Sequence, residues 1–207
     1  MTEALDTAGM SRQERRECLV ELYREVESCR RCPLAETRTR AVFGAGNADA
    51  DLVMVGEAPG ADEDRQGLPF VGRAGKLLDQ LLGDAGITRE EIFIANVLKS
   101  RPPGNRDPQP EEIEACRPYL ERQLQLIRPR VVATMGNFST KLLSGSPEGI
   151  TKVRGRPRPL RIAGLDVVLL PIYHPAFALR STGAAETLGA DLRLLPGLMA
   201  LEPAAGG

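Results

Sequence analysis

Three polar side chains that could act on a bound ligand stand at the ends of apolar segments of the 207-residue sequence. Glu57 follows "DLVMVG", Asn96 ends "EIFIAN", and His174, the single histidine of the chain, follows "VVLLPIY". A carboxylate, an amide and an imidazole can together bind a polar ligand and donate or accept protons. An isolated histidine is more often a packed core residue, so the position of His174 in the fold decides between the two interpretations.

The elements that would carry these side chains alternate between strands and helices. Four apolar segments predict buried strands, and they are "DLVMVG", "EIFIANVLKS", "RVVATMG" and "VVLLPIY". Segments with helical periodicity or capping signals lie around them, at 11–28, 74–86, 111–127, 137–145 and 184–201. The alternation predicts an α/β fold in which helices cover both faces of a largely parallel sheet. Ligands of such sheets bind beyond the carboxyl ends of the strands, so Glu57, Asn96 and His174 should meet at one edge, which favours a functional histidine.

Composition and charge limit the class of protein. The net charge is −1 and hydrophobic residues make up 42% of the chain, which is enough for a packed core. We expect one domain at 11–201, between flexible ends at 1–10 and 202–207. No apolar run approaches the ~18 residues of a membrane span, and the N-terminus lacks a signal-peptide segment. We therefore expect a soluble cytoplasmic protein with reduced cysteines, and a monomer, because no segment indicates a paired interface.

Six segments follow one another along the chain and together span about residues 29 to 180; they are "CRRC", "VFGAGN", "GEAPGADEDRQGLPFVGRAGKLL", "NVLKSRPPGNRDPQPEEIEAC", "ITKVRG" and "HPAFALR". In this order they resemble family 4, the iron–sulfur type, of the uracil-DNA glycosylase superfamily. The resemblance implies a three-layer α/β/α fold with a central four-stranded parallel sheet. It also implies a monofunctional enzyme that excises uracil from DNA and leaves an abasic site.

The resemblance assigns five residues to the binding of a flipped uracil. The Asn96 amide would pair with N3 and O4 of uracil, a pattern that cytosine reverses. Phe70 would stack on the base, and the backbone of Glu57 and Ala58 would touch it. His174 would donate a hydrogen bond to O2 as negative charge develops there, and the Glu57 carboxylate would stabilise the sugar cation or orient water.

A second acidic position of the family matches Glu63, which we expect to act with Glu57 and His174 in catalysis and to shape the pocket. Its neighbours Asp62 and Asp64 fit a solvated acidic turn better.

Contacts with DNA are expected from two segments. In "HPAFALR", Leu179 would fill the space of the flipped base and Arg180 would reach phosphate, although a buried leucine and a surface arginine also fit. The segment "TKVRGRPRPLR" contains Lys152 and Arg154 among further basic residues and no acidic residue, a pattern that suits phosphate contact or a solvated hairpin.

The family carries a [4Fe–4S] cluster on four cysteines, and this chain departs from that pattern. Cys29, Cys32 and Cys116 match three of the ligands, but Ser100 stands at the position of the family's third cysteine. Serine oxygen is a poorer ligand for iron than thiolate. Four outcomes stay open: Ser100 ligates weakly, the cluster loses an iron, the cluster is absent, or another metal such as zinc replaces it. Cys18 is expected to be a packed residue.

Two other functions remain as alternatives. A relative that bonds covalently to its abasic product would carry an extra basic loop with a histidine, which "KSRPPGNRDP" lacks. A glycosylase-like module that binds DNA without cutting it is the second alternative, because of Ser100. The intact set of Glu57, Phe70, Asn96 and His174 argues against this module.

Overall fold

A computed structural model of the chain describes Thr7 and residues 9–201. The expected flexible ends at 1–10 and 202–207 therefore lie for the most part outside the described residues. Within the described part, the Thr7 hydroxyl donates to the Gln125 carbonyl at 3.3 Å and Met10 packs against the core.

The described residues form six strands and ten α-helices. The strands are β1 (Ala45–Gly46), β2 (Leu52–Gly56), β3 (Phe93–Asn96), β4 (Val131–Met135), β5 (Arg158–Ile162) and β6 (Leu165–Ile172). The helices are α1 (Arg12–Glu27), α2 (Leu34–Thr37), α3 (Ala61–Gln66), α4 (Arg73–Asp84), α5 (Pro110–Ile127), α6 (Asn137–Ser144), α7 (Ile150–Val153), α8 (Pro175–Ala178), α9 (Ala184–Leu192) and α10 (Leu195–Met199). None of the described helices combines the length and apolar character that crossing a bilayer requires.

The strands form one mixed sheet in the order β1-β3-β2-β4-β6-β5. The inner four strands run parallel, and the two edge strands pair antiparallel to their neighbours. The α/β class is therefore confirmed, whereas the expectation of a four-stranded sheet missed both edges. β1 is only two residues long, and β5 contains two arginines and Pro159, so neither has the apolar run that identifies a buried strand.

Helices pack on both faces of this sheet because side chains alternate along each strand. Leu52 and Met54 of β2 belong to one buried cluster, together with apolar residues of α4, α9 and α10. Val53 and Val55 belong to the other cluster, together with residues of α1 and α5. Each inner strand is thus covered on both sides, as its continuous apolar sequence predicts.

Capping signals located some helix ends correctly. Ser11, the first residue of the segment expected to be helical at 11–28, caps α1 and forms a capping box with Glu14. The single helix expected at 184–201 is wrong, because the chain forms two helices there. Pro196 lies in the first turn of the second, where its missing N–H is tolerated, and it could not continue the first helix.

The loop between α3 and α4 is fixed from both sides, and it carries Phe70. Phe70 adopts a left-handed backbone conformation with φ 51°, which is uncommon for a bulky residue. Its carbonyl accepts a hydrogen bond from Arg89 at 2.9 Å. Gly75 of α4 packs directly against the same carbonyl, and a Cβ atom at Gly75 would stand 1.8 Å from that oxygen. The absence of a side chain at Gly75 therefore allows the Phe70 loop to close on the helix.

We expect Gly75→Ala to lower the free energy of unfolding by roughly 1–3 kcal/mol, because the contacted atom is backbone and must shift. Urea denaturation measures this loss. Gly83→Ala in the same helix is the matched control: a Cβ atom there meets nothing within 4 Å, so the fold should keep its stability or gain up to about 1 kcal/mol. Equal effects of the two substitutions would contradict a tight contact at Gly75.

Candidate active site

A cavity of about 630 Å³ opens at the carboxyl edge of the sheet, where a parallel sheet is expected to bind its ligand. Its volume lies in the range of small-molecule sites. The predicted site residues that line it are Glu57, Ala58, Glu63, Phe70, Asn96, His174 and Arg180. Segments far apart in the sequence therefore meet in one cavity, which the strand-end argument anticipated.

Asn96 lies at the end of β3 and is only 1% exposed. Its amide oxygen is buried and has no hydrogen-bond partner among the described residues. Leaving a buried acceptor unpaired costs about 1–3 kcal/mol, so such an atom is notable in a native cavity. Opposite Asn96 in the register stands Gly56, where a Cβ atom would lie 2.3 Å from this oxygen. Glycine at position 56 therefore leaves the amide oxygen room to face a donor on a ligand.

Phe70 and His174 lie together on the cavity wall. Their ring centroids are 5.6 Å apart and the ring planes are inclined by 35°. Phe70 is 6% exposed, so the surrounding loop holds the ring in place. Two adjacent rings with an amide nearby suit a flat, polar ligand.

The backbone selects the tautomer of His174. The N–H of Ala176 donates to Nδ1 of His174 at 3.1 Å, so Nδ1 must be the acceptor of a neutral ring. The proton is then on Nε2, which leaves a ring N–H donor. Burial and the positive charge of Arg180 lower the pKa of His174 to about 4, against a smaller opposite effect of Glu63. His174 is therefore a neutral hydrogen-bond donor at pH 7.

Glu57 follows β2 at the cavity wall. Burial, and secondly the charge of Asp107, raise the pKa of Glu57 to about 7. The carboxyl group can therefore change protonation state near neutral pH, as an acid–base or electrostatic group requires. Asp107 also lines the cavity, but no pattern in its proline-rich segment pointed to it.

Glu63 fixes the loop that carries Phe70. Its Oε1 accepts the N–H groups of Val71 and Gly72, each at 2.9 Å. The expectation of a solvated turn is wrong for Asp64, which is 5% exposed and accepts the Thr39 N–H at 3.0 Å. Two carboxylates of this acidic segment, those of Glu63 and Asp64, thus hold backbone N–H groups in place.

The rim of the cavity presents an apolar and basic surface. Phe177 is 41% exposed and Leu179 is 40% exposed, although both are apolar. Arg180 beside them lines the cavity and is exposed. Lys152 on α7 is also exposed, next to the cavity-lining Thr151. Phe177 was not predicted as a site residue, and no pattern in its segment distinguishes an exposed ring from a buried one.

Arg154 has an internal partner that its basic neighbourhood did not reveal. Its Nε donates to Asp191 at 2.7 Å, and its guanidinium lies 5.3 Å from the centre of the Tyr173 ring. Burial raises the pKa of Asp191, against the opposing effect of Arg154. The structure therefore places Lys152 at the rim and ties Arg154 to α9.

The three predicted cysteine ligands lie near one another where α1 meets α5. Cys116 is buried, and burial raises the pKa of its thiol, as do the nearby thiols of Cys32 and Cys29 to a smaller extent. Ser100 is also buried, and its hydroxyl accepts a hydrogen bond from Arg38 Nη1 at 3.0 Å. Cys18 packs against the same core, as expected.

These residues do not fit a [4Fe–4S] cluster on four thiolates. The donor set has three thiols and one hydroxyl, and an arginine donates to that hydroxyl. In the described part of the chain, no three His, Cys, Asp or Glu side chains are arranged to hold a metal ion. No catalytic role is therefore assigned to a cluster.

The fold and the cavity define an α/β protein with a site for a flat polar ligand beside a rim that suits nucleic acid. The profile of the uracil DNA glycosylase superfamily matches residues 43–192. The Type-4 uracil-DNA glycosylase of Archaeoglobus fulgidus is 45% identical over 181 residues, which cover 86% of this chain and 91% of the relative. That of Thermotoga maritima is 46% identical over 168 residues, covering 80% and 86%.

A Type-5 uracil-DNA glycosylase of Pyrobaculum aerophilum is 30% identical over 166 residues, which cover 72% of each chain. The Type-4 relatives thus share more of this sequence over more of its length. The chain belongs to the uracil DNA glycosylase superfamily, and the resemblance to its fourth family is confirmed.

We expect Ser100→Cys to raise the iron content of protein reconstituted with iron and sulfide, towards about four iron atoms per chain. The melting temperature should rise with the iron content, because metal bound only to the folded state stabilises it. Iron analysis and thermal denaturation measure the two effects. Ser100→Ala is the control: it removes the contact with Arg38 and adds no thiol, so it should gain no iron. Four iron atoms already bound by the wild-type chain would contradict the misfit.

Proposed function

We propose that the chain hydrolyses the N-glycosidic bond of uracil in DNA and leaves an abasic site, as in the first step of base excision repair. The observation that carries this proposal is the unpartnered amide oxygen of Asn96 at the buried end of β3. It can accept the N3–H of uracil, while the amide nitrogen donates to O4. Cytosine presents an acceptor at N3 and a donor at position 4, so both pairs would fail.

DNA would enter from the rim. The target base lies within the duplex stack and must be flipped into the cavity, which costs a few kcal/mol of unstacking. Phe177 and Leu179 are exposed apolar side chains that could occupy the space left in the stack. The exposed side chains of Arg180 and Lys152 could contact phosphate, and Arg154 could contribute where its pair with Asp191 opens.

Bond cleavage would leave the electron pair of the C1′–N1 bond on uracil and a cationic centre on the sugar. The Nε2–H of neutral His174 can donate to O2, where the negative charge develops, and such donors contribute about 2.7–4 kcal/mol in related sites. The Glu57 carboxylate can stabilise the cation and accept the proton of the water that adds to C1′. We assign Glu63 a supporting role, because it holds the loop of Phe70, while Ala58 keeps the wall small.

No step of this mechanism uses iron. Cys29, Cys32, Cys116 and Ser100 lie where α1 meets α5, and none of them lines the cavity. We further propose that the protein acts as a cytoplasmic monomer on uracil-containing DNA, since all groups in the mechanism come from one chain.

Asn96→Ala should reduce kcat/KM on a single-stranded oligonucleotide with one uracil by about 10²-fold or more, because a polar site loses its pairing pattern. Hot alkali followed by a denaturing gel measures abasic sites, with thymine and cytosine strands as substrate controls. Asn105→Ala is the matched variant, since Asn105 lines the same cavity but is exposed, and its loss should be far smaller. Slowed migration on a native gel without cleavage by the wild type would favour a DNA-binding module, and a shift that survives denaturation would favour a covalent trap.

The activity should depend on the protonation state of Glu57. If the carboxylate is the active form, kcat/KM rises with pH through about 7, where the pKa of Glu57 lies, and then levels off. His174 should add no step above pH 6, because its pKa is about 4. Kinetics between pH 5 and 9 test this, with Glu57→Gln expected to flatten the profile. Asp107→Asn should move the step to lower pH, and a rate that falls through pH 7 would instead identify protonated Glu57 as the active form.

A further inference from the structure

A fully buried lysine contacts the backbone of Asn96. Lys99 is 2% exposed, and its Nζ donates to the Asn96 carbonyl at 2.7 Å and to Gln123 Oε1 at 2.6 Å. The Gln123 amide nitrogen donates in turn to the Phe43 carbonyl at 2.8 Å. Hydrogen bonds of the Lys99 and Gln123 side chains thus connect α5, β3 and the segment before β1.

Packing alone does not account for a lysine at this position. Removing an ammonium group from water costs several kcal/mol, and a paired carboxylate usually offsets that cost. None of the hydrogen bonds of Lys99 in the described part of the chain goes to a carboxylate. An apolar residue of similar length would fill the space without this cost, so the side chain is explained by the groups to which it donates.

The sheet explains why the Asn96 carbonyl needs such a donor. Carbonyl groups of alternate residues point to the same side of a strand. Directly before β3, the Ile92 carbonyl faces the side of β1 and accepts the N–H of Asn47, the residue that follows β1, at 2.9 Å. The Asn96 carbonyl faces the same side, but the pairing with β1 ends at Ala45 opposite Ile94. Lys99 therefore supplies the donor where the edge strand no longer does.

We infer that Lys99, supported by Gln123, is a positioning residue for base recognition, which holds the backbone of Asn96 so that its amide meets the base in the correct orientation. This inference rests on the proposed role of Asn96 in binding uracil. Displacing a recognition group by about 1 Å can reduce the rate about 10²-fold, so loss of the anchor should reach catalysis without any contact between Lys99 and substrate.

Lys99→Met should raise the inhibition constant for free uracil and lower kcat/KM on the uracil oligonucleotide, each by about 10- to 100-fold. Gln123→Leu removes the support of Lys99 and should act in the same direction. Gln125→Leu is the matched control, because this buried glutamine lies on the same helix and donates to the Ala163 carbonyl instead. It should lower the melting temperature but leave the inhibition constant for uracil unchanged.

A double-mutant cycle separates positioning from general stability. In the Asn96→Ala background, Lys99→Met should cost less than about threefold, because the amide that it positions is already absent. Additive losses, or equal inhibition constants for the Gln123→Leu and Gln125→Leu proteins, would overturn the inference. If circular dichroism shows that Lys99→Met does not fold, the inhibition constants of the Gln123→Leu and Gln125→Leu proteins for uracil test the inference instead. An Asn96→Ala protein with wild-type activity would instead overturn the proposed role of Asn96, and an unmodified chain that releases no uracil would overturn the proposed function itself.

Discussion

The close approach of β2 and β3 at their carboxyl ends is the constraint on which the site depends. The register sets Gly56 opposite Asn96. A Cβ atom at position 56 would lie 2.3 Å from the Asn96 amide oxygen and 2.7 Å from the Phe70 ring, so only a residue without Cβ leaves space for both. Glu57 follows Gly56 directly and so enters the same cavity. Parallel pairing thus brings a carboxylate, an amide and an aromatic ring together, and the cost of burying them is met by the apolar clusters on both faces.

The site is held rigid before any ligand binds. Phe70 keeps a left-handed backbone that costs on the order of 1–3 kcal/mol, and Arg89, Gly75 and Glu63 together hold it. His174 has one tautomer because a backbone N–H occupies its Nδ1. Groups that are already oriented need not reorganise when charge develops, which is where such sites gain most of their effect.

The sequence predicts the structure correctly where local pattern and topology agree. Apolar segments located the inner strands, and their carboxyl ends predicted that Glu57, Asn96 and His174 meet. Long-range partners could not be read in this way: the pair between Arg154 and Asp191 joins residues 37 apart in sequence. The short edge strands also escaped, because pairing with neighbours, rather than their own apolar character, defines them. The assignment of Phe70 needed the family resemblance, since spacing alone does not distinguish a stacking ring from a core ring.

The short segment that follows β3 leads from the cavity, which Asn96 lines, to the region of the cysteines. Asn96 lines the cavity, while the hydroxyl of Ser100, four residues on, accepts a hydrogen bond from Arg38. Lys99 lies between them: its Nζ donates to the Asn96 carbonyl, and its backbone N–H reaches Cys116 Sγ at 3.5 Å. Different hydrogen bonds hold Asn96 and Ser100 in place. A hydroxyl instead of a thiol at position 100 therefore need not move the side-chain amide of Asn96. This separation explains how the cavity residues can keep their arrangement in a chain with serine at position 100.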